Sequence, residues 1–231
     1  MLSPQEVCTH IKQLLGYLVE VGLSSDQNYP FVRKGNNNIV EVTFPQSEYL
    51  SIALKNFSYA EIYENLASER AYITKLPDGA LVTMRYLYNA KGLERHSLGF
   101  YPSPNLEEFQ NSPDIYLEDV VYADVIARNI VPFPIRFDFD CREEVFVPVE
   151  HPKSHLTLGQ YKNCRIPIAA PLTPYCFISF LLRNFYNTAF KKYSDQLPFF
   201  SEEFENSIHP EELKIVHFQV PVKRLSSLNT K

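Results

Sequence analysis

Apolar residues recur at helical spacing at Val7, Ile11, Leu14, Leu15, Leu18 and Val21, and predict an amphipathic first helix. Ser3, Pro4 and Glu6 before it have the order of a capping box with proline at the first helical position, and Gly22 marks its end. Residues 24–38 read as a polar turn region, and "IVEVTFP" as a strand closed by Pro45. Residues 47–68 hold apolar positions at mixed spacing with neither Gly nor Pro, which predicts one or two helical segments.

From residue 70 the period shortens to two. "RAYITKL", "ALVTMRYLYN" and "LERHSLGFYP" are separated by Pro77-Asp78-Gly79 and by Asn89-Ala90-Lys91-Gly92, the punctuation of an antiparallel meander. "PSPNLEEFQNSPD" reads as an exposed connection, and residues 115–131 fit helix and strand equally. "PFPIRFDFD", "SHLTLGQ" and "KNCRIPI" predict three further strands. Thr173-Pro174 then opens "YCFISFLLRNFYNTAFKKY", apolar nearly all round and closed by Lys191-Lys192, which predicts one central buried helix. "EELKIVHFQVPV" reads as a short helical start and a last strand.

These elements predict an α+β fold, an antiparallel or mixed sheet packed against the N-terminal helix and the aromatic one. At 231 residues the expected organisation is a single domain over 1–222 with a loose polar tail at 223–231.

Composition narrows the function classes. Apolar residues at 45% and charged residues at 21% suit a globular chain that folds by itself. The net charge of −5 removes any diffuse positive field, so nucleic-acid binding would need a local basic patch, and the basic pairs are each too short to make one alone. Four cysteines without a CxxC pair point to reduced, mostly buried thiols. No apolar run approaches the roughly 20 residues that span a bilayer and the first residues lack a signal-peptide pattern, so the expectation is a cytoplasmic protein without a membrane role.

The chemistry concentrates in "RFDFDCREEVFVPVEHPKSHLTLG", residues 136–159. Alternation sends Phe137, Phe139, Leu156 and Leu158 to one face of the two strands, and Arg136, Asp138, Asp140, His155 and Thr157 to the other. On neighbouring strands that second set would suit phosphoryl transfer or hydrolysis. His155 would be general acid or base, Asp138 or Asp140 would orient it or hold a divalent metal ion, and Arg136, Thr157 and Arg165 would bind substrate. The competing interpretation is a solvated ion network on an exposed sheet face.

His151 and His155 also have H-x3-H spacing. Positions four apart on a straight strand lie about 13 Å apart, too far to share an ion, so a structural zinc is not expected. Cys164 shares parity with Ile166 and is expected in the core, and His10, His96 and His209 stand alone. "HLTL" matches the H-x-[ST]-x element of two-histidine phosphoesterases once, whereas that fold needs it twice. No glycine-rich phosphate loop, GxGxxG or GxSxG occurs.

"IRFDFD", "HPKSHLTLG", "CRIPIAAPLTPYCFISFLLRNFY", "LPDGALVTMRYLY" and "HSLGFYPSP" together resemble an uncharacterised bacterial family, domain of unknown function 2290, over nearly the whole chain. The resemblance implies a setting in antiviral defence or a toxin-antitoxin system, with nuclease-like action on a phosphodiester or nucleotide. It brings no catalytic residue of its own. Expected partners are a protein encoded nearby, with RNA or DNA as a substrate. The alternative is a non-catalytic interaction module, an accessory subunit or an antitoxin, which would suit the acidic balance.

Overall fold

The computed structural model describes residues 2–35, 38–104, 132–161 and 163–220. The exposed connection and the ambiguous stretch expected between residues 105 and 131, and the polar tail, lie outside the described residues.

Helix α1 (Pro4–Glu20) begins as its sequence dictates. The Ser3 hydroxyl accepts from the Glu6 backbone N–H, the Glu6 carboxylate accepts from the Ser3 N–H, and Gly22 takes a positive φ of 73° beyond the end. The region 47–68 divides into a 3₁₀ segment, Ser47–Leu54, and α2 (Tyr59–Ser68), whose Ser58 and Glu61 repeat the capping box.

Nine strands form one sheet among the described residues: β1 (Asp26–Gln27), β2 (Phe31–Lys34), β3 (Val40–Thr43), β4 (Thr74–Lys75), β5 (Leu81–Asn89), β6 (Gly92–Tyr101), β7 (Ile135–Asp140), β8 (Ser154–Leu158) and β9 (Ile166–Pro167). The order is β1-β4-β5-β6-β7-β8-β9, with the β2-β3 hairpin on the other end of the β5 edge that β4 also uses, and every paired strand is antiparallel. The fold is α+β, as the periodicity predicts. Strands β1 and β2 fall in the stretch expected to be only a turn. The last strand expected after Lys214 is reduced to a single parallel bridge between Ile168 and Phe218.

The expected single aromatic helix is two, α3 (Pro174–Phe185) and α4 (Asn187–Tyr193), broken at Tyr186 with φ −133° and ψ 50°. The break has a partner. Tyr186 donates its hydroxyl to Oδ2 of Asp78 at 2.7 Å, and Asp78 sits fully buried in the β4-β5 turn, where a carboxylate without a donor would be costly.

Register divides the sheet into two faces. Tyr86, His96, Phe139 and Ser154 lie in one row, Met84, Leu98, Phe137 and Leu156 in the next, and all are buried beneath the helical layer. Phe137 meets Phe177 and Phe180 of α3 edge to face, at centroid distances of 5.8 and 5.1 Å. The second face carries Arg85, Ser97, Asp138 and His155 in one row and Thr83, Gly99, Arg136 and Thr157 in the next. Ile62 and Leu66 of α2 pack with Leu81 and Tyr101 over one end of this face and leave the rest as a basin. No helix among the described residues is long and apolar enough to cross a membrane.

Candidate functional site

The basin has a volume of about 1000 Å³. Lys55, Arg85, Arg95, Arg136, Arg142 and Arg165 line it against the carboxylates of Glu48, Asp138 and Asp140, so a chain of net charge −5 gathers a local excess of positive charge here. Arg85 is bound to Glu41 on β3, which also accepts from Arg33 at 2.5 Å. Arg142 is bound to Asp140 through Nε at 2.9 Å and its terminal nitrogen at 2.7 Å. Among the described residues Arg136 and Arg165 have no carboxylate partner within salt-bridge distance, which leaves their guanidinium groups for a ligand.

All six residues singled out from sequence, Arg136, Asp138, Asp140, His155, Thr157 and Arg165, line this basin. The two strands on which the reading depends are neighbours: Arg136 pairs in register with Thr157, and Asp138 with His155. Asp140 stands apart from the set, because Arg142 occupies both its oxygens. Asp138 accepts from the Ser97 hydroxyl at 2.8 Å on its other flank. These two carboxylates therefore do not form a ready cation cradle. Among the described residues no group of three or more His, Cys, Asp or Glu is arranged to hold a metal ion.

His155 and Thr157 differ from the solvated face that alternation suggests, each being only 6% exposed. His155 is packed against the preceding loop, its ring 5.3 Å from that of His151 and its Nδ1 on Pro152 O. Burial drives the His155 imidazole towards its neutral form, lowering its pKa, while Asp138 and the Pro152 carbonyl oppose this and His151 and Arg165 reinforce it. A carbonyl can only accept, so the 2.9 Å contact of His155 Nδ1 with Pro152 O puts the proton on Nδ1 and leaves Nε2 as the free nitrogen.

The spacing rule separates His151 from His155 by the length of a straight strand, and the structure differs in that distance. His151 lies before β8, in a loop where it and Val147 exchange both backbone hydrogen bonds, so the straight-strand distance does not apply. Its ring centroid is 5.3 Å from that of His155. Its Nδ1 contacts Val145 O at 2.6 Å, so its free nitrogen is Nε2 as well. Between Val147 and His151, Val149 holds φ 71° while the Glu150 N–H donates to Pro148 O at 2.9 Å, the pattern of a γ-turn with a β-branched residue in the left-handed region. Such backbone costs on the order of 1–3 kcal/mol and persists where the surroundings enforce it. Glu212, 1% exposed, is part of that enforcement, accepting from the His209 N–H at 2.9 Å and the Val149 N–H at 3.4 Å.

Cys164 is also corrected, since it is half-buried and faces the basin instead of the core. Of the four free thiols only Cys8 is fully buried. His10 stacks on Phe200 at 3.8 Å, and His96 lies on the apolar face against Tyr86 and Phe139. Tyr101 and Arg95 also line the basin and were not singled out. Gly99, opposite Arg136, was a signal for Tyr101: a Cβ there would lie 2.5 Å from the Tyr101 ring, so the phenol spans the backbone because glycine leaves room.

No curated protein and no solved structure matches the chain. The family model for uncharacterised conserved proteins, DUF2290, matches residues 23–220, and the chain belongs to that family.

Proposed function

We propose that the basin binds a phosphodiester or nucleotide and that His155 transfers a proton at its ester oxygen. Supporting this is one observation: Arg136, Asp138 and His155 stand in adjacent rows of neighbouring strands, inside a basin with twice as many basic groups as carboxylates. Arg136 and Arg165 grip the phosphate, and the neutral His155 accepts a proton through Nε2. Asp138 stabilises the imidazolium that results. The setting we propose is cytoplasmic, in an antiviral-defence or toxin-antitoxin system with a partner encoded nearby, and it rests on the family resemblance.

Binding of short RNA, short DNA and nucleoside monophosphates by the purified chain, compared with Arg136→Gln and His155→Asn, tests the reading. Expected are a loss of affinity in the first and a loss of turnover in the second. Equal affinity and turnover in all three proteins defeat it.

A non-catalytic interaction module is favoured by a different observation. Leu213, Ile215, Val216 and Phe218 of the last described segment are between 42% and 85% exposed. Copurification of the adjacent gene product, abolished by Val216→Asp while ligand binding persists, would support that role.

A further inference from the structure

We infer that His151 is a second catalytic imidazole, acting with His155 on an RNA phosphodiester by transfer of the ester to the neighbouring ribose hydroxyl. The inference rests on the reading of the basin as a phosphodiester site and names its substrate class and reaction.

The geometry has three parts. The two rings lie 5.3 Å apart at an interplanar angle of 54°. Each has its Nδ1 engaged by a backbone carbonyl, Val145 O for His151 and Pro152 O for His155, so both present Nε2, and both line the basin that Arg136 and Arg165 share. The loop carrying His151 is over-determined by the Val147–His151 bridge, the γ-turn at Val149 and the buried Glu212 carboxylate. Strained backbone maintained this way is expected where a side chain must be held in place for function. Glu212 is on this view a positioning residue.

Two imidazoles beside one phosphate can serve both ends of an in-line displacement. Nε2 of neutral His155 takes the proton from the ribose 2′-hydroxyl, whose oxygen bonds to phosphorus. The bond from phosphorus to the 5′-oxygen breaks, and that oxygen takes a proton from Nε2 of protonated His151. Products are a 2′,3′-cyclic phosphate and a free 5′-hydroxyl, and proton exchange with water resets both rings. DNA lacks the attacking hydroxyl and cannot follow this route.

The test uses the full chain, a chelator, and a labelled DNA strand containing one ribonucleotide beside an all-deoxy control. The decisive variant is His151→Asn, whose amide nitrogen can keep the bond to Val145 O while Nε2 is lost, with a thermal melt to show that it folds. Expected are cleavage only at the ribose, a cyclic phosphate terminus, and a rate at least about 100-fold lower in His151→Asn. Cleavage of both strands alike, a terminus that was never cyclic, or wild-type rates in His151→Asn overturns the inference and leaves the phosphodiester reading standing. Failure to bind or cleave either strand or any nucleotide overturns both.

Discussion

The two faces of the central sheet are built from the same strands and obey opposite rules. On one, Tyr86, Met84, Leu98, Phe137 and Leu156 disappear beneath α1 and α3, and position is enforced by shape. On the other, Arg85, Ser97, Asp138, His155 and Thr157 meet across the same backbone ladder, and position is enforced by hydrogen bonds, among them Ser97 to Asp138 and His155 to the Pro152 carbonyl. Damage to the first face should therefore appear as lost stability, and damage to the second as lost chemistry.

The largest stability effect is expected at Phe177, fully buried and in edge-to-face contact with Phe137. Phe177→Ala removes apolar area and leaves a cavity, and should cost about 3–5 kcal/mol in chemical denaturation. A cost below about 1 kcal/mol would mean that α3 does not close this face as described.

His96 comes next, because it brings a titratable group into the apolar layer. Burial depresses its pKa to about 4, against the opposing pull of Asp138, and its Nε2 accepts from the Leu172 N–H at 3.1 Å. The folded chain holds it neutral, whereas the unfolded chain protonates it near its ordinary value of 6.5. Its contribution is thus complete above pH 6.5 and is lost as the pH falls towards 4, by about 2 kcal/mol between pH 7 and 5 at 1.36 kcal/mol per unit. His155 adds the same sign and buried Asp78, whose pKa is raised, the opposite one. Subtracting the stability curve of His96→Leu from that of the wild type isolates the effect, and a flat difference would refute it.

How legible each face is in the sequence follows from its physics. The apolar face obeys a period of two, so Phe137, Phe139 and Leu156 could be assigned inward from spacing alone, and a capping box announced α1 at Ser3 and Glu6. On the polar face the same parity united Arg136, Asp138 and His155, yet not what covers them. His151 was lost because distance along a strand was applied to residues 151–153, which precede β8 and bend at Lys153, so that the two rings meet at 5.3 Å. The break at Tyr186 was invisible for a similar reason, since its partner Asp78 lies 108 residues away. The missed strands β1 and β2 owe their pairing to β4 and β3, not to alternation of their own.

Gly99 joins the two regimes, being a packing requirement on the polar face. A methyl group there meets the Tyr101 ring at 2.5 Å and the Thr83 hydroxyl at 2.7 Å. Gly99→Ala should cost about 1–3 kcal/mol by displacing that ring. Because Tyr101 lies beside Arg136, ligand binding should weaken in step, which separates this position from Phe177, where binding per folded molecule should hold.

The smallest stability effect and the sharpest contrast are expected at Arg136 itself. Its guanidinium is half-buried and has no carboxylate partner among the described residues, so Arg136→Gln should change unfolding free energy by no more than about 0.5 kcal/mol. The same change removes a charge-assisted contact to phosphate, of about 1.5–3 kcal/mol, and should weaken nucleotide binding roughly 10- to 150-fold in a calorimetric titration. If Arg136→Gln instead lowers stability as much as Phe177→Ala does, this face is a structural layer like the other, and the separation of roles between the faces fails.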